Sequence, residues 1–104
     1  MSIKELIDLL DAYDVQCAFS HFSKPVIPPF MIYLSPSTNN FNADNVVYFV
    51  NKSLTLELYT REDTLLQEEQ LENYLTSNHV LWDKTSQTWI DEEKLMMSVY
   101  ELNG

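Results

Sequence analysis

The chain has 104 residues, one cysteine, one glycine, and a formal net charge of −10 from sixteen acidic and six basic side chains. That length suits a single domain, 1–104, able to bury a core without disulfides or metals. So acidic a chain lacks the basic stripe that a phosphate backbone requires, and direct nucleic-acid binding is not expected.

Residues 2–13 predict a helix. Ser2 and Glu5 form the S-x-x-E capping box, and Ile3, Leu6, Ile7 and Leu10 share one face at i, i+3, i+4 and i+7. VQCAFS, 15–20, alternates as a short strand with Val15, Cys17 and Phe19 on one side. Pro25, Pro28 and Pro29 then interrupt it. Proline lacks an N–H and restricts its predecessor, so 24–29 is extended but unfit for a sheet interior.

FMIYLS, 30–35, predicts the second strand, stopped by Pro36. Phe30, Ile32 and Leu34 fall on one face, with Met31 and Tyr33 on the opposite one. Residues 36–45, rich in Ser, Thr, Asn and Asp, read as a flexible loop carrying Asn39, Asn40, Phe41 and Asn42. From 46 to 60 the chain is β-rich, and Leu54, Leu56 and Leu58 alternate with Thr55, Glu57 and Tyr59. One long bent strand and two strands turning at Asn51–Lys52 both fit. The weak N-K turn signal favours the first.

The second helix is predicted over about 63–77, capped by Asp63 or Thr64. Its apolar stripe is Leu71 and Leu75 with Leu65 or Leu66 and Tyr74. Glu68, Glu69 and Glu72 form a solvated acid face, and Asn78 is placed to take a left-handed C-terminal conformation. VLWDKTSQTWI reads as a hairpin turning at 84–87, with Trp82 opposite Trp89. A last strand follows over 95–102. The order α–β–β–β–α–β–β–β predicts an α+β domain: a mainly antiparallel sheet with both helices on one face.

No catalytic, cofactor or metal motif emerges. The lone glycine, Gly104, removes phosphate-cradling loops, dinucleotide fingerprints and nucleophile elbows together. His21 and His79 lack ligand-spaced partners, Asp91, Glu92 and Glu93 read as a solvated loop, and Cys17 reads as a buried reduced thiol. The expectation is no enzyme and no cofactor. The N-terminal MSIKELIDLL has no signal-peptide pattern, and no apolar run reaches a membrane span, so a reducing cytoplasm is expected. Interface candidates are Met31, Tyr33, Phe49 and Tyr59 on the second sheet face, where Met and aromatic residues suit protein contact, together with Asn39, Asn40, Phe41 and Asn42 of the loop.

AFSHF-KP--PPFMIYL at 18–34, NNFNADNVVYF at 39–49, LELYT at 56–60, LLQEEQLENYL and EEKLMMSVYEL form an ordered set covering nearly the whole chain. In that combination the chain resembles small tail proteins of tailed phages and prophages of low-GC Gram-positive bacteria, of the tail-terminator or head–tail joining type. The resemblance implies a homo-oligomeric ring, usually hexameric, that terminates the tail tube and meets the head connector. Its partners would be the major tail tube protein and the connector, in the virion neck, with assembly in the host cytoplasm. It implies no catalysis and no cofactor, and the lack of a membrane-length apolar run adds the expectation of no membrane. The alternative is a small acidic phage-encoded module that binds or inhibits a host protein.

Overall fold

A computed structural model describes residues 2–35 and 53–103. Among them α1 (Ile3–Asp11), β1 (Gln16–Phe19), β2 (Phe30–Leu34), β3 (Ser53–Thr60), α2 (Thr64–Ser77), β4 (Leu81–Ile90) and β5 (Leu95–Asn103) follow in that order. The five strands form one sheet ordered β1-β2-β3-β5-β4, antiparallel except for the β1–β2 pair. This is the α+β architecture expected, with one strand fewer among the described residues.

α1 starts as its sequence dictates. Ser2 Oγ accepts from the Glu5 N–H at 3.1 Å, and Glu5 Oε1 accepts from the Ser2 N–H at 2.7 Å, which satisfies two donors left free at the helix start. Leu6 and Leu10 are buried, with Ile3 and Ile7 packed beside them. α2 lies on the same side of the sheet, where Leu71 and Leu75 join the same cluster. The helices also touch each other: the Tyr13 and Tyr74 rings lie 4.5 Å apart, and the Tyr74 hydroxyl donates to the Leu9 carbonyl at 2.7 Å.

The α2 C-terminus solves the glycine shortage differently from the expectation. Asn78 is not left-handed (φ −101°), and its side-chain amide donates to the Tyr74 carbonyl at 2.8 Å. His79 takes the left-handed turn instead, at φ 64°. Its N–H reaches the Thr76 carbonyl while the Val80 N–H reaches Leu75, the paired bonds of a Schellman motif. Val80 is then delivered to the core.

β3 is the central strand. Leu54, Leu56, Leu58 and Thr60 are buried beneath the helices, while Thr55, Glu57 and Tyr59 point to the other face. Register carries this parity to the neighbours. Met31 pairs with Leu58 and Tyr33 with Leu56, so both face the helices. Phe30, Ile32 and Leu34 pair with Tyr59, Glu57 and Thr55 and face away. The strand expected over 30–35 is present as Phe30–Leu34, but the assignment of its core face is corrected: Met31 is fully buried.

β4 is a second correction. Residues 81–90 form one strand along β5 rather than a hairpin, and the register shifts between Lys84 and Ser86. Trp82 therefore pairs with Leu102 and Trp89 with Met96, seven residues apart on one strand. β1 and β2 run parallel, joined by the proline-bearing segment 20–29. That crossover passes on the sheet side away from the helices, where Gln16 Nε2 donates to the Ile27 carbonyl at 3.4 Å and Phe22 meets Phe30 edge-on. Pro25, Pro28 and Pro29 offer no N–H to a ladder, so the crossover spans the distance without adding a strand.

The parity of β2 gives a direct prediction. Met31→Ala should destabilise the domain by about 2–5 kcal/mol. Ile32→Ala, one residue along, should cost clearly less, about 1 kcal/mol. Urea unfolding of the two variants checks it; equal losses would contradict the observed facing.

Candidate functional site

Two constellations stand out, one beneath the helices and one on the opposite side of the sheet, where the 20–29 crossover also passes. The first centres on Glu68, placed by α2 three residues before Leu71 and seven before Leu75, on the core-facing stripe. The stripe was expected to hold Leu65 or Leu66 near this position. Both are exposed, and Glu68, expected on a solvated face, is 4% exposed.

Its carboxylate is fully engaged. Ser98 Oγ donates at 2.5 Å and Gln87 Nε2 at 2.7 Å, and Lys84 Nζ lies 3.2 and 3.3 Å from the two oxygens. One turn on, Glu72 accepts from the Tyr100 hydroxyl at 2.6 Å. The β4 bulge makes this possible. Lys84 and Gln87 are three apart and would face opposite ways on a regular strand. The extra residue, Thr85, turns both toward Glu68.

This network holds structure rather than a reacting centre. Ser98 has no exposed surface and its proton is committed to Glu68, so no substrate atom reaches it. Tyr100 is likewise buried; desolvation, then the hydrogen bond to Glu72, pushes its phenol well above the ordinary range. Burial pushes the Cys17 thiol up to about 12, with Asp11 adding to the effect, so the thiolate needed for nucleophilic chemistry is scarce at neutral pH. Among the described residues no three His, Cys, Asp or Glu side chains group closely enough to hold a metal ion, and no helix is long and apolar enough to cross a membrane. A shallow depression lined by Thr76, His79, Val80, Leu81 and Trp82 carries one titratable group, His79.

The second constellation is the sheet face opposite the helices, which no described helix covers. Across β2, β3, β5 and β4 its rows read Phe30–Tyr59–Met97–Thr88, Ile32–Glu57–Val99–Ser86, and Leu34–Thr55–Glu101–Asp83. The β2, β3 and β5 members of these rows are all partly exposed. Phe30 and Tyr59 stack with centroids 4.8 Å apart and planes 16° from parallel, and Phe22 packs edge-on at 5.6 Å. The Tyr59 hydroxyl donates to Glu57 Oε1 at 2.8 Å, and the Thr55 hydroxyl donates to Glu101 Oε2 at 2.7 Å. Burial, then the Glu57 hydrogen bond, raises the Tyr59 phenol, and the charges of Glu57 and Glu93 add to it.

Of the interface candidates, Tyr59 lies on this face. Met31 lies in the core with no surface to offer a partner, and Tyr33 is partly buried against that core, 5.5 Å from the Phe19 ring. Asn39, Asn40, Phe41, Asn42 and Phe49 lie outside the described residues, as does the question of one strand or two before Ser53. Phe30, Ile32, Glu57, Met97 and Val99 were not singled out. The signal that would have found them is the β3 alternation, carried across by register. Compared with known proteins, the chain matches no family model, no curated protein and no solved structure.

The Glu68 network yields two predictions. Lys84→Met leaves a buried carboxylate short of its cation and should cost roughly 1–3 kcal/mol, whereas the double variant Glu68→Leu/Lys84→Met should recover much of that loss in denaturant titrations. Tyr100 supplies the second. Its folded-state affinity for the proton exceeds that of the unfolded chain, so its contribution is fully present below the ordinary phenol value of 10.0 and is lost as pH rises above it. Thermal unfolding should therefore fall off above about pH 10 more steeply in the wild type than in Tyr100→Phe.

Proposed function

We propose that this chain is a non-catalytic assembly protein acting through protein contact, and that it serves in a phage tail or neck as the tail-terminator or head–tail joining type it resembles. The partly exposed sheet face away from the helices carries the protein-contact reading. An aromatic stack, aliphatic neighbours and carboxylates spread over four strands form a surface suited to a polypeptide. The two edge strands support assembly further. β1 pairs only with β2, and β4 only with β5, among the described residues, which leaves backbone donors and acceptors on their outer sides. A neighbour adding to such an edge makes a head-to-tail contact, and repetition of that contact closes a ring when the rotation permits.

The second reading, an acidic module that engages a host protein, is favoured by the carboxylates on the same face. The two separate in one experiment. Removing the gene from a lysogen and imaging induced particles by negative stain should give tails of irregular length or tails not joined to heads, restored by the gene in trans. Normal particles, with the protein bound instead to one host protein in uninfected cells, would move the conclusion to the second reading.

A further inference from the structure

We propose that the partly exposed sheet face around Phe30, Glu57 and Tyr59, away from the helices, is a docking site for an arginine-bearing segment of a partner protein. The inference deepens the protein-contact reading and rests on it only in taking the occupant to be a polypeptide. Charge complementarity carries it. The face holds the carboxylates of Glu57, Glu101 and Asp83, and Glu93 lies near enough to Tyr59 to act on its phenol. None of its strand positions holds a lysine or arginine.

Among the described residues, three of the chain's cations are paired away from this face. Lys4 pairs with Asp8, Lys94 with Asp91, and Lys84 with Glu68 beneath the helices. Lys24 lies in the crossover and Arg61 follows the end of β3. Among the described residues Glu57 and Glu101 accept side-chain hydrogen bonds from neutral hydroxyls, those of Tyr59 and Thr55, and a carboxylate that accepts one such bond has further lone pairs for a cation.

Arginine fits this arrangement better than lysine. Its planar guanidinium stacks on an aromatic face while its fork of N–H donors meets a carboxylate, and it sheds water more readily than an ammonium. The Phe30–Tyr59 stack and Glu57 supply both halves side by side: Tyr59 is two residues from Glu57 on one strand, and Phe30 is its cross-strand partner. Ile32, Met97 and Val99 supply the apolar surface for aliphatic residues flanking the arginine. A second copy is disfavoured, because two such faces brought together would set carboxylates against carboxylates.

The test is an NMR titration of the intact ¹⁵N-labelled protein with acetyl-Arg-Val-Arg-Val-amide, alongside the same peptide with citrulline for arginine. Saturable shifts should centre on Phe30, Ile32, Glu57, Tyr59 and Val99, and the citrulline peptide should not reproduce them. Glu57→Gln should weaken binding about tenfold with the rest of the spectrum retained, the loss expected for one charge-assisted contact, while Glu69→Gln on exposed α2 should leave it unchanged. Shifts spread evenly over every acidic surface, or equal losses in the two variants, would overturn the proposal. So would concentration-dependent shifts of the face without peptide, which would assign it to a second copy. NOEs from residues 36–52 onto the face, with no peptide response, would assign it to the chain itself and equally overturn it. Failure here leaves the particle-assembly experiment untouched, since ring formation through strand edges does not use this face.

Discussion

The row of Leu54, Leu56 and Leu58 beneath the two helices orders the rest of the molecule. β3 is paired on both sides, so its facing is passed to β2 and β5 by backbone hydrogen bonds. Each leucine buried there is worth roughly 1.5–3 kcal/mol, and a one-residue slip would turn all three to solvent at once. Once β3 is fixed, Met31 must enter the core opposite Leu58, and Phe30 must leave it opposite Tyr59. The aromatic stack on the bare face is thus a consequence of a leucine row on the buried one.

Glu68 is where that logic meets a polar exception. A carboxylate removed from water costs several kcal/mol unless its oxygens are paired and hydrogen-bonded. α2 places it over β4 and β5, where a lysine, a glutamine and a serine converge on it. A register slip of β4 would strand that carboxylate, so the network specifies how the edge strand lies against β5. The bulge at Thr85 follows from the same requirement, since without it Lys84 or Gln87 would face the open side.

These two features explain what could be read from the sequence. Both helices, the capping box, the leucine alternation of β3 and the α+β order were legible because each rests on a local pattern of period 3.6 or 2. The facing of FMIYL was not, because both its faces are apolar and only the partner strand decides between them. The strand 81–90 was hidden for a different reason. Lys84, Thr85, Ser86 and Gln87 have turn-like composition, and the carboxylate that recruits two of them lies sixteen and nineteen residues away on another element. The docking face was half legible: Tyr59 could be named from alternation, whereas Phe30, Ile32 and Glu57 depend on register.

The charge of −10 takes on a structural meaning in this frame. Among the described residues Lys4, Lys84 and Lys94 are used in ion pairs within the fold, and Lys84 pairs with the buried Glu68. What remains is a surface whose acids outnumber its cations, with the open face at the extreme: apolar, aromatic and free of strand-borne positive charge. Like charge keeps copies from meeting face to face, and edge strands lie at the sides of the sheet, away from that repulsion. The proposed self-assembly through edges and the proposed recognition of a cationic partner through the face would therefore not compete for surface. One protomer in a ring would still present Phe30, Glu57 and Tyr59 on its sheet face, and the ring would repeat the proposed arginine contact around its circumference, raising its effective strength through multivalency.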